Sequence, residues 1–453
     1  TPSFHLGLLY HGGRYYAIFR FYALLMDKLP LAETKLQLLT YQTHEERTYA
    51  IKVISGLLRN GAEPDAVADM IANDYPTLAA YMKKNTGYDE AVDEYMAWYR
   101  KNKLINRYPG EYPVTMTFDR FDSRFKLMHQ MIDKDCVSFW IDGFGVEYTP
   151  LFLHELEKRG IVPASLKIAV ALLPTETEYN HQWNEHNSMT VKWDRLDSYS
   201  HRGMPDDKSY YSCIVHQLAV FTDAAEKVEE LLEKHDYVVI TGDHGSSRFA
   251  ALAFHDTSVV PVTAPNKSRI RNFGRFCELD EKSAGMIPLP ETSKVTSSIV
   301  GKTCLVMNNY QHFAVSGNVA GGNTDEHDVV GEIHGGNTTE ERLVSVIVVK
   351  GKQPLTPLTC KSKSQYVTKR NGHIETTLTF TQPVSTLEVA QGSNKAVCTQ
   401  NSDREWQIAL DDVSTDDIVL SVIANGRLLP KVTLKVKTQG ISKNNDPFGG
   451  TGL

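Results

Sequence analysis

Long hydrophobic runs are missing from this sequence, since no apolar stretch approaches the roughly 20 residues that a helix needs to cross a bilayer. Cysteine is sparse: six residues are dispersed along 453, without a CxxC pair or a dense framework. That distribution favours buried thiols in a reducing cytoplasm over a disulfide scaffold. The sequence opens TPSFHLGLLY, without Met, a basic n-region or an apolar h-region. We therefore expect a piece of a longer protein rather than a secreted precursor.

Positive charge is not in excess either. The formal net charge of −7 argues against a protein that binds nucleic acid mainly through a broad basic surface, because such binding neutralises many phosphates. A local basic groove stays open as an alternative, with Lys267, Arg269, Arg271 and Arg275 as its candidates. What is present is a globular composition, 41% hydrophobic and 23% charged, over a length that allows two or three domains.

The first part of the chain has helical spacing. Three segments place apolar residues three and four positions apart, which predicts amphipathic helices. Asp89 is a candidate helix N-cap, and Gly61 is a candidate residue for ending a helix. The breaker sequence RYPGEYP at 107–113 then suggests a boundary. We predict a helical region over residues 1–112.

Residues 113–352 alternate continuous apolar runs, such as CVSFWI and YVVIT, with helix-like segments. Strands buried on both faces have such sequences, so we predict an α/β domain built around a parallel sheet. Polar residues with metal-ligand chemistry follow several of these runs. Since ligands of open α/β sheets bind at the carboxyl ends of the strands, that edge is the predicted site.

After the α/β domain, apolar and polar residues alternate with a period of two, as in β-strands. Asn371-Gly372 and Asn425-Gly426 each interrupt such a pattern, and Asn-Gly favours the type I′ turn of a β-hairpin. We predict a small, immunoglobulin-like β-sandwich over residues 353–440. The polar, Gly-rich end, 441–453, is expected to be a flexible tail, with a docking peptide as the alternative.

One group of candidate ligands follows three different apolar runs. Asp142 ends the first run, and Asp243 and His244 end a second. Thr177 comes after the proline that terminates a third. Two carboxylates, an imidazole and a hydroxyl could hold one Zn²⁺ and leave a position for a phosphate oxygen. Coordination would also lower the pKa of the threonine hydroxyl and make it a nucleophile.

A second group consists of Asp197, His201 and His334. Asp197 and His201 are four residues apart, which places both on one face of a helical turn. They could hold a second metal roughly 4 Å from the first, across a phosphoryl group. Asp194 and His186 are nearby substitutes in this group. Each signal is weak alone, but the shared position after apolar runs makes coincidence less plausible.

The motifs carrying these residues form a pattern. They are DGFGVEY at 142–148, PTETEYN at 174–180, DSYSH at 197–201, GDHGSSR at 242–248 and HGGNTTEE at 334–341. The pattern resembles the PglZ domain of the alkaline phosphatase superfamily. The resemblance implies an alkaline-phosphatase-like parallel-sheet core and two divalent metal ions, Zn²⁺ in preference to Mn²⁺ or Mg²⁺. It also implies Thr177 rather than Thr175 as nucleophile, because the second threonine of P-T-x-T attacks in the nucleotide pyrophosphatase/phosphodiesterase branch.

Under this resemblance the metal ligands are Asp142, Thr177, Asp243 and His244 at one ion, and Asp197, His201 and His334 at the other. Arg248 and Asn180 are candidate substrate-binding residues, with a salt bridge and a capping role as their alternatives.

The resemblance implies a cytoplasmic phosphodiesterase for nucleotide or nucleic-acid substrates, working with other proteins of bacterial BREX phage defence and without a membrane. Two alternatives stay open. In one, the chain is a structural subunit whose metal site organises the fold. In the other, it is a metal-dependent phosphomutase.

Overall fold

The computed structural model contains two compact units, residues 1–355 and 356–453. Within them the structure describes the following residues: 22–83, 85–108, 116–131, 136–181, 189–202, 210–282, 285–315, 331–350, 358–364, 366–413 and 417–437. The predicted tail lies outside these residues, and the boundaries at 112, 352 and 440 stay predictions. In the described part of the chain, no helix combines the length and the apolar character that crossing a membrane requires.

The first unit begins with helices, as the spacing predicts. They are α1 (Ala32–Leu38), α2 (His44–Arg59), α3 (Pro64–Ile71), α4 (Pro76–Lys83) and α5 (Glu90–Ile105). Both predicted helix ends are confirmed. The Asp89 carboxylate accepts a hydrogen bond from Val92 N at 3.0 Å, which caps α5. After α2 the backbone turns at Gly61 with φ +91°, a conformation that costs glycine little.

Further helices and strands follow in the same unit. The helices are α6 (Arg124–Met131), α7 (Thr149–Lys158), α8 (Arg195–Arg202), α9 (Tyr210–Leu232), α10 (Arg248–His255) and α11 (Thr339–Arg342). The central strands are β1 (Cys136–Ile141), β2 (Pro163–Val170), β3 (Met189–Trp193), β4 (Tyr237–Thr241) and β9 (Leu343–Val349). A smaller antiparallel sheet contains β5 (Arg269–Arg271), β6 (Phe276–Glu278), β7 (Thr292–Thr296) and β8 (Thr303–Met307).

The central sheet has apolar contacts on both faces. Val137 and Phe139 of β1 join a hydrophobic cluster that includes side chains of α7, α9 and the N-terminal helices. Cys136 and Trp140, on the opposite face of the same strand, pack in another cluster with Leu127 of α6. This double burial explains why the strand is a continuous apolar run rather than an alternating one.

The strand order is β2-β9-β4-β1-β3, and the prediction of a parallel sheet is wrong for one strand. β1 pairs in parallel with β3 and β4, whereas β9 is antiparallel to both β2 and β4. The connection before β9 is long: residues 242–342 separate the strand from β4 and include the smaller sheet, so the chain can return to the central sheet in either direction. The core is therefore a mixed sheet.

The second unit contains two sheets. One has the order β10-β12-β16-β15 and the other β11-β18-β17-β13-β14. Their strands are β10 (Cys360–Ser362), β11 (Tyr366–Thr368), β12 (Ile374–Phe380), β13 (Leu387–Gln391), β14 (Asn394–Lys395), β15 (Val397–Gln400), β16 (Glu405–Leu410), β17 (Asp417–Ala424) and β18 (Arg427–Lys437). Side chains from both sheets share one hydrophobic core, including Leu378 and Ile408 from the first and Leu420 and Leu434 from the second.

The two Asn-Gly turns have different outcomes. Asn425 and Gly426 have φ of +52° and +73° and join β17 to its partner β18, so this hairpin is confirmed. Asn371 and Gly372 also have positive φ, and the turn closes between Arg370 and His373. However, β11 before it and β12 after it belong to different sheets, so the predicted second hairpin is wrong.

Candidate metal centre

Two neighbouring strands bring the first three ligand candidates together. In the parallel pair of β1 and β4, Trp140 lies opposite Thr241, so both strands end at the same level. Asp142 therefore emerges beside Asp243 and His244. The two loops are in close contact: a Cβ atom on Gly242 would lie 2.3 Å from the Phe144 carbonyl oxygen, which only glycine avoids.

The Thr177 hydroxyl lies among these three side chains. Its Oγ is 2.7 Å from Asp243 Oδ2, 3.4 Å from Asp142 Oδ1 and 3.3 Å from His244 Nε2. Asp243 is itself held in place, because its Oδ1 accepts hydrogen bonds from the backbone N–H groups of Gly143 and His244. The aspartate thus presents its other oxygen to the threonine in a fixed orientation.

Asn180 holds the loop that carries Thr177. Its amide nitrogen lies 3.1 to 3.2 Å from the carbonyl oxygens of Leu172, Pro174 and Glu176. Its Oδ1 accepts from Leu172 N at 2.8 Å, and the residue is fully buried. Since an amide nitrogen has only two N–H donors, these contacts use both. Asn180 therefore braces the loop, and its predicted contact with substrate stays a prediction.

The second group also assembles, on α8 and on the segment that precedes α11. Asp197 and His201 share one face of α8, with Asp197 Oδ1 3.2 Å from His201 Nε2. His334 Nε2 lies 3.6 Å from the same carboxylate oxygen. The ring of His334 stacks on that of His244 with centroids 3.8 Å apart, so the two groups form one continuous site.

The first threonine of the PTET motif orients His334. His334 Nδ1 lies 2.8 Å from the Thr175 carbonyl oxygen, an arrangement that assigns the ring proton to Nδ1 and leaves Nε2 for a metal. The Thr175 hydroxyl donates to Gly336 O at 2.7 Å and accepts from Gly335 N at 3.0 Å. Thr175 therefore connects the two motifs, and Thr177 is the threonine whose hydroxyl faces the ligand cluster.

The donor atoms form two overlapping sets, each of which could hold a divalent cation, with His244 in both. Asp142, Asp243 and His244 form one set whose ligand atoms lie within 4.8 Å of one another, and Asp197, His244 and His334 form another. Asp197 Oδ1 is buried without a hydrogen-bond partner among the described residues, although two imidazole nitrogens are close to it. Such an atom is costly unless a cation binds it. Carboxylate and imidazole donors together suit Zn²⁺.

The charged side chains of the site shift one another's pKa values. Burial, together with the Asp243 and Asp197 charges, raises the pKa of Asp142 to about 7. Burial opposes protonation of His201, but the Asp197 carboxylate outweighs it and raises the pKa of His201 to about 9. Burial, reinforced by the His244 and His201 charges, lowers the pKa of His334. Asp142 and His201 thus hold protons that a metal would displace, whereas His334 presents a neutral imidazole.

These shifts predict a pH-dependent stabilisation by zinc. Unfolded Asp and His have pKa values of about 3.9 and about 6.5, so folded Asp142 and His201 bind protons more tightly than the unfolded chain does. As pH rises, the folded protein without zinc loses these protons, and its free energy of unfolding should therefore decrease. Asp142 contributes to this decrease up to about pH 7, and His201 contributes up to about pH 9. Zinc replaces those protons.

The difference in Tm between zinc-loaded and EDTA-treated protein should thus widen from about pH 6 to about pH 9. Thermal unfolding of both forms across this range tests the expectation. A difference that stays constant, or an EDTA-treated protein that becomes more stable with rising pH, would contradict these proton sites.

Arg248 is in a different environment from the predicted one. It is buried at the start of α10, where its guanidinium donates to Asn106 Oδ1 at 2.9 Å and to the Gly331 carbonyl oxygen at 2.5 Å. The same group lies over the ring of Tyr210, 3.7 Å from its centroid. These contacts connect α10 to neighbouring segments and occupy the guanidinium group; the phosphate contact of Arg248 stays a prediction.

The candidate basic groove is also interrupted. Arg275 is fully buried and paired with Glu341 at 2.7 Å, and Arg271 pairs with Glu278 at 2.8 Å. The guanidinium groups of these two arginines are thus bound to acidic partners. Among the substitutes for the second ligand group, Asp194 is exposed, and His186 lies outside the described residues.

Sequence reasoning missed three residues at the site: Lys192, Glu176 and Asn272. Lys192 Nζ lies 2.9 Å from Asp142 Oδ2. Glu176 Oε2 is 3.3 Å from His334 Nδ1 and accepts from the Asn272 amide. Glu176 could have been suspected from its position inside PTET, whereas no local pattern distinguishes Lys192 or Asn272.

Comparisons with known proteins add no relative. No protein-family model and no curated protein matches the chain. The functional argument therefore rests on the geometry of the site and on the resemblance carried by its motifs.

Proposed function

We propose that the protein is a metal-dependent phosphodiesterase that acts on nucleotide or nucleic-acid phosphodiesters with Thr177 as nucleophile. The observation that supports this most is the position of the Thr177 hydroxyl, within 3.4 Å of the three ligand side chains Asp142, Asp243 and His244. A metal site that only stabilised the fold would not need a hydroxyl at its centre.

The residues that would hold two divalent ions are Asp142, Thr177, Asp243 and His244 for one, and Asp197, His201 and His334 for the other. When bound, such ions supply positive charge that activates the hydroxyl and stabilises the phosphoryl oxygens. They are Zn²⁺ in our proposal, with Mn²⁺ or Mg²⁺ as alternatives. The shared position of His244 beside both groups would keep the two ions adjacent.

The proposed reaction has two steps, with a phosphothreonine between them. Thr177 Oγ donates its hydrogen bond to Asp243 Oδ2. The lone pairs of Oγ therefore point away from Asp243. Oγ forms a bond to phosphorus as the bond to the leaving-group oxygen breaks; the proton of Oγ passes to solvent, and the leaving oxygen takes up a proton from solvent to give the alcohol. Water afterwards cleaves the phosphothreonine and restores the hydroxyl. In a phosphomutase, a substrate hydroxyl would replace that water.

We further infer that the chain belongs to the PglZ domain of the alkaline phosphatase superfamily, with an alkaline-phosphatase-like core. The support is that all five motifs contribute residues at one end of a mixed α/β sheet. The second unit is an immunoglobulin-like β-sandwich in this proposal, supported by two sheets that share one core. By the same resemblance, the protein acts in cytoplasmic BREX phage defence together with other proteins of that system.

Hydrolysis of two chromogenic esters tests the reaction class. Zinc-loaded protein should release p-nitrophenolate faster from the diester bis-p-nitrophenyl phosphate than from the monoester p-nitrophenyl phosphate. Faster release from the monoester would assign a phosphomonoesterase instead. Bound metal without turnover of either ester would favour the structural alternative, and release that requires an added alcohol acceptor would favour phosphate transfer.

A further inference from the structure

A phosphate-binding site needs a positive side chain that can reach the substrate, and the following arginines near this cluster, whose side chains the structure describes, are otherwise engaged. Arg124 is buried and donates to the Asn180 carbonyl oxygen at 2.5 Å. Arg271 pairs with Glu178 and Glu278. Arg248 and Arg275 have the structural contacts described above. These guanidinium groups support loops and strands of the site and would have to break those contacts to bind a phosphate.

Lys192 differs from these arginines in both contacts and exposure. It is the next-to-last residue of β3, opposite Trp140 of β1, and its side chain is 45% exposed. The ammonium nitrogen lies 4.5 Å from the centroid of the Trp140 ring, which guides the side chain towards the carboxyl end of the sheet. A lysine ammonium has three N–H donors, and this one meets solvent, from which a substrate arrives.

The contact between Lys192 and Asp142 fixes the direction in which the ammonium points. Asp142 Oδ1 faces Thr177 at 3.4 Å, and Oδ2 lies 2.9 Å from Lys192 Nζ. The nucleophile and the ammonium therefore border the same carboxylate, one at each oxygen. A phosphoryl group approached by Thr177 carries negative non-bridging oxygens, and an ammonium at this position is a matching point charge.

We propose that Lys192 is the phosphate-anchoring residue of the site, binding a non-bridging oxygen of the phosphodiester next to Thr177. This inference rests on the proposed function, because it uses the same site. It replaces the predicted role of Arg248. Since the contact is made to an anionic phosphoryl oxygen and not to a base or sugar, it selects for the charged group shared by all phosphodiesters.

Binding of inorganic phosphate to the zinc-loaded protein tests this role without turnover. Isothermal titration calorimetry should give a phosphate affinity about 10- to 100-fold weaker for Lys192→Gln than for the wild type, as expected for loss of one charge-assisted hydrogen bond. The zinc content should be unchanged. Lys192→Arg should keep most of the affinity, since it keeps the charge. Lys234→Gln removes the same charge from an exposed position after α9 and should bind phosphate as the wild type does.

Two results would overturn the proposal. Lys192→Gln could bind phosphate as tightly as the wild type, or it could lose zinc together with phosphate, which would make Lys192 only a support for Asp142. The proposed function fails separately. Lysine-dependent phosphate binding without hydrolysis of either ester would contradict the phosphodiesterase, whereas diester hydrolysis with lysine-independent phosphate binding would contradict the anchor alone.

Discussion

Thr177→Ala is expected to remove diester hydrolysis while the protein keeps its fold and its metal. The hydroxyl is the only polar atom that the substitution deletes from the side chain, and the six other proposed ligand side chains, Asp142, Asp197, His201, Asp243, His244 and His334, remain. Loss of an enzyme nucleophile lowers kcat by about 10³-fold or more. Steady-state kinetics with bis-p-nitrophenyl phosphate, elemental analysis and thermal unfolding of the same preparation measure the three properties together.

Two matched variants make this result specific. Thr177→Ser keeps a hydroxyl at the same position and should retain part of the activity. Thr175→Ser keeps the hydroxyl that donates to Gly336 O and accepts from Gly335 N, and it should stay close to the wild type. If Thr177→Ala hydrolysed the diester at the wild-type rate, Thr177 would not be the nucleophile, whatever metal the site holds.

Lys103→Met is expected to cause the largest loss of stability. Lys103 on α5 is fully buried, and its ammonium lies 2.7 Å from Glu147 and 2.9 Å from Glu332. It also donates to the Tyr148 hydroxyl at 2.8 Å. Removing the cation leaves two buried carboxylates without their shared partner, and breaking a buried ion pair in this way costs about 3 to 5 kcal/mol. Denaturant unfolding should report a loss of this size.

The loss should depend on pH in a defined direction. Without the lysine, Glu147 and Glu332 would become protonated more readily in the folded chain than in the unfolded chain. The folded variant would then gain protons as pH falls, so its deficit should be smaller at about pH 5 than at about pH 8. Lys101→Met, two residues earlier on the same helix and only partly buried, is the control and should change stability little. Equal losses for both variants would contradict the buried cluster.

The buried cluster around Lys103 also connects the N-terminal helices to the candidate metal site. Glu332 Oε1 lies 2.7 Å from Gln217 Nε2, which in turn lies 3.2 Å from the Ser200 hydroxyl on α8. The same helix carries Asp197 and His201. A change on α5 can therefore displace ligands of the site through a chain of buried polar contacts, so zinc affinity should be measured on Lys103→Met as well.

The ligand residues could be anticipated from the sequence because strand ends determine where they lie. Asp142 and Asp243 follow apolar runs that form neighbouring parallel strands, and parallel strands of equal register end together. The four-residue spacing of Asp197 and His201 also gave the correct helical face. Local sequence was sufficient here, since each residue needed only its own element and the direction of that element.

Features that depend on distant partners could not be anticipated. The apolar run of β9 is compatible with either strand direction, and the long connection over residues 242–342 that precedes it allows both, so only its pairing with β2 and β4 reveals the direction. Arg248 is the last residue of the GDHGSSR motif, which suggested a role in substrate binding. Its guanidinium instead donates to Asn106 and Gly331, which are far away along the chain. The position of Lys192 beside Asp142 follows only from the pairing of β3 with β1, which the sequence does not show.

The measurement that tests the central claim most directly is the metal content of the purified protein, by elemental analysis after zinc addition and removal of excess ion. The account predicts about two zinc ions per chain, with about one lost in His334→Ala because that imidazole serves the second ligand group. A wild-type protein that retains no zinc under these conditions would contradict the assignment of Asp142, Asp197, His201, Asp243, His244 and His334 as a metal centre.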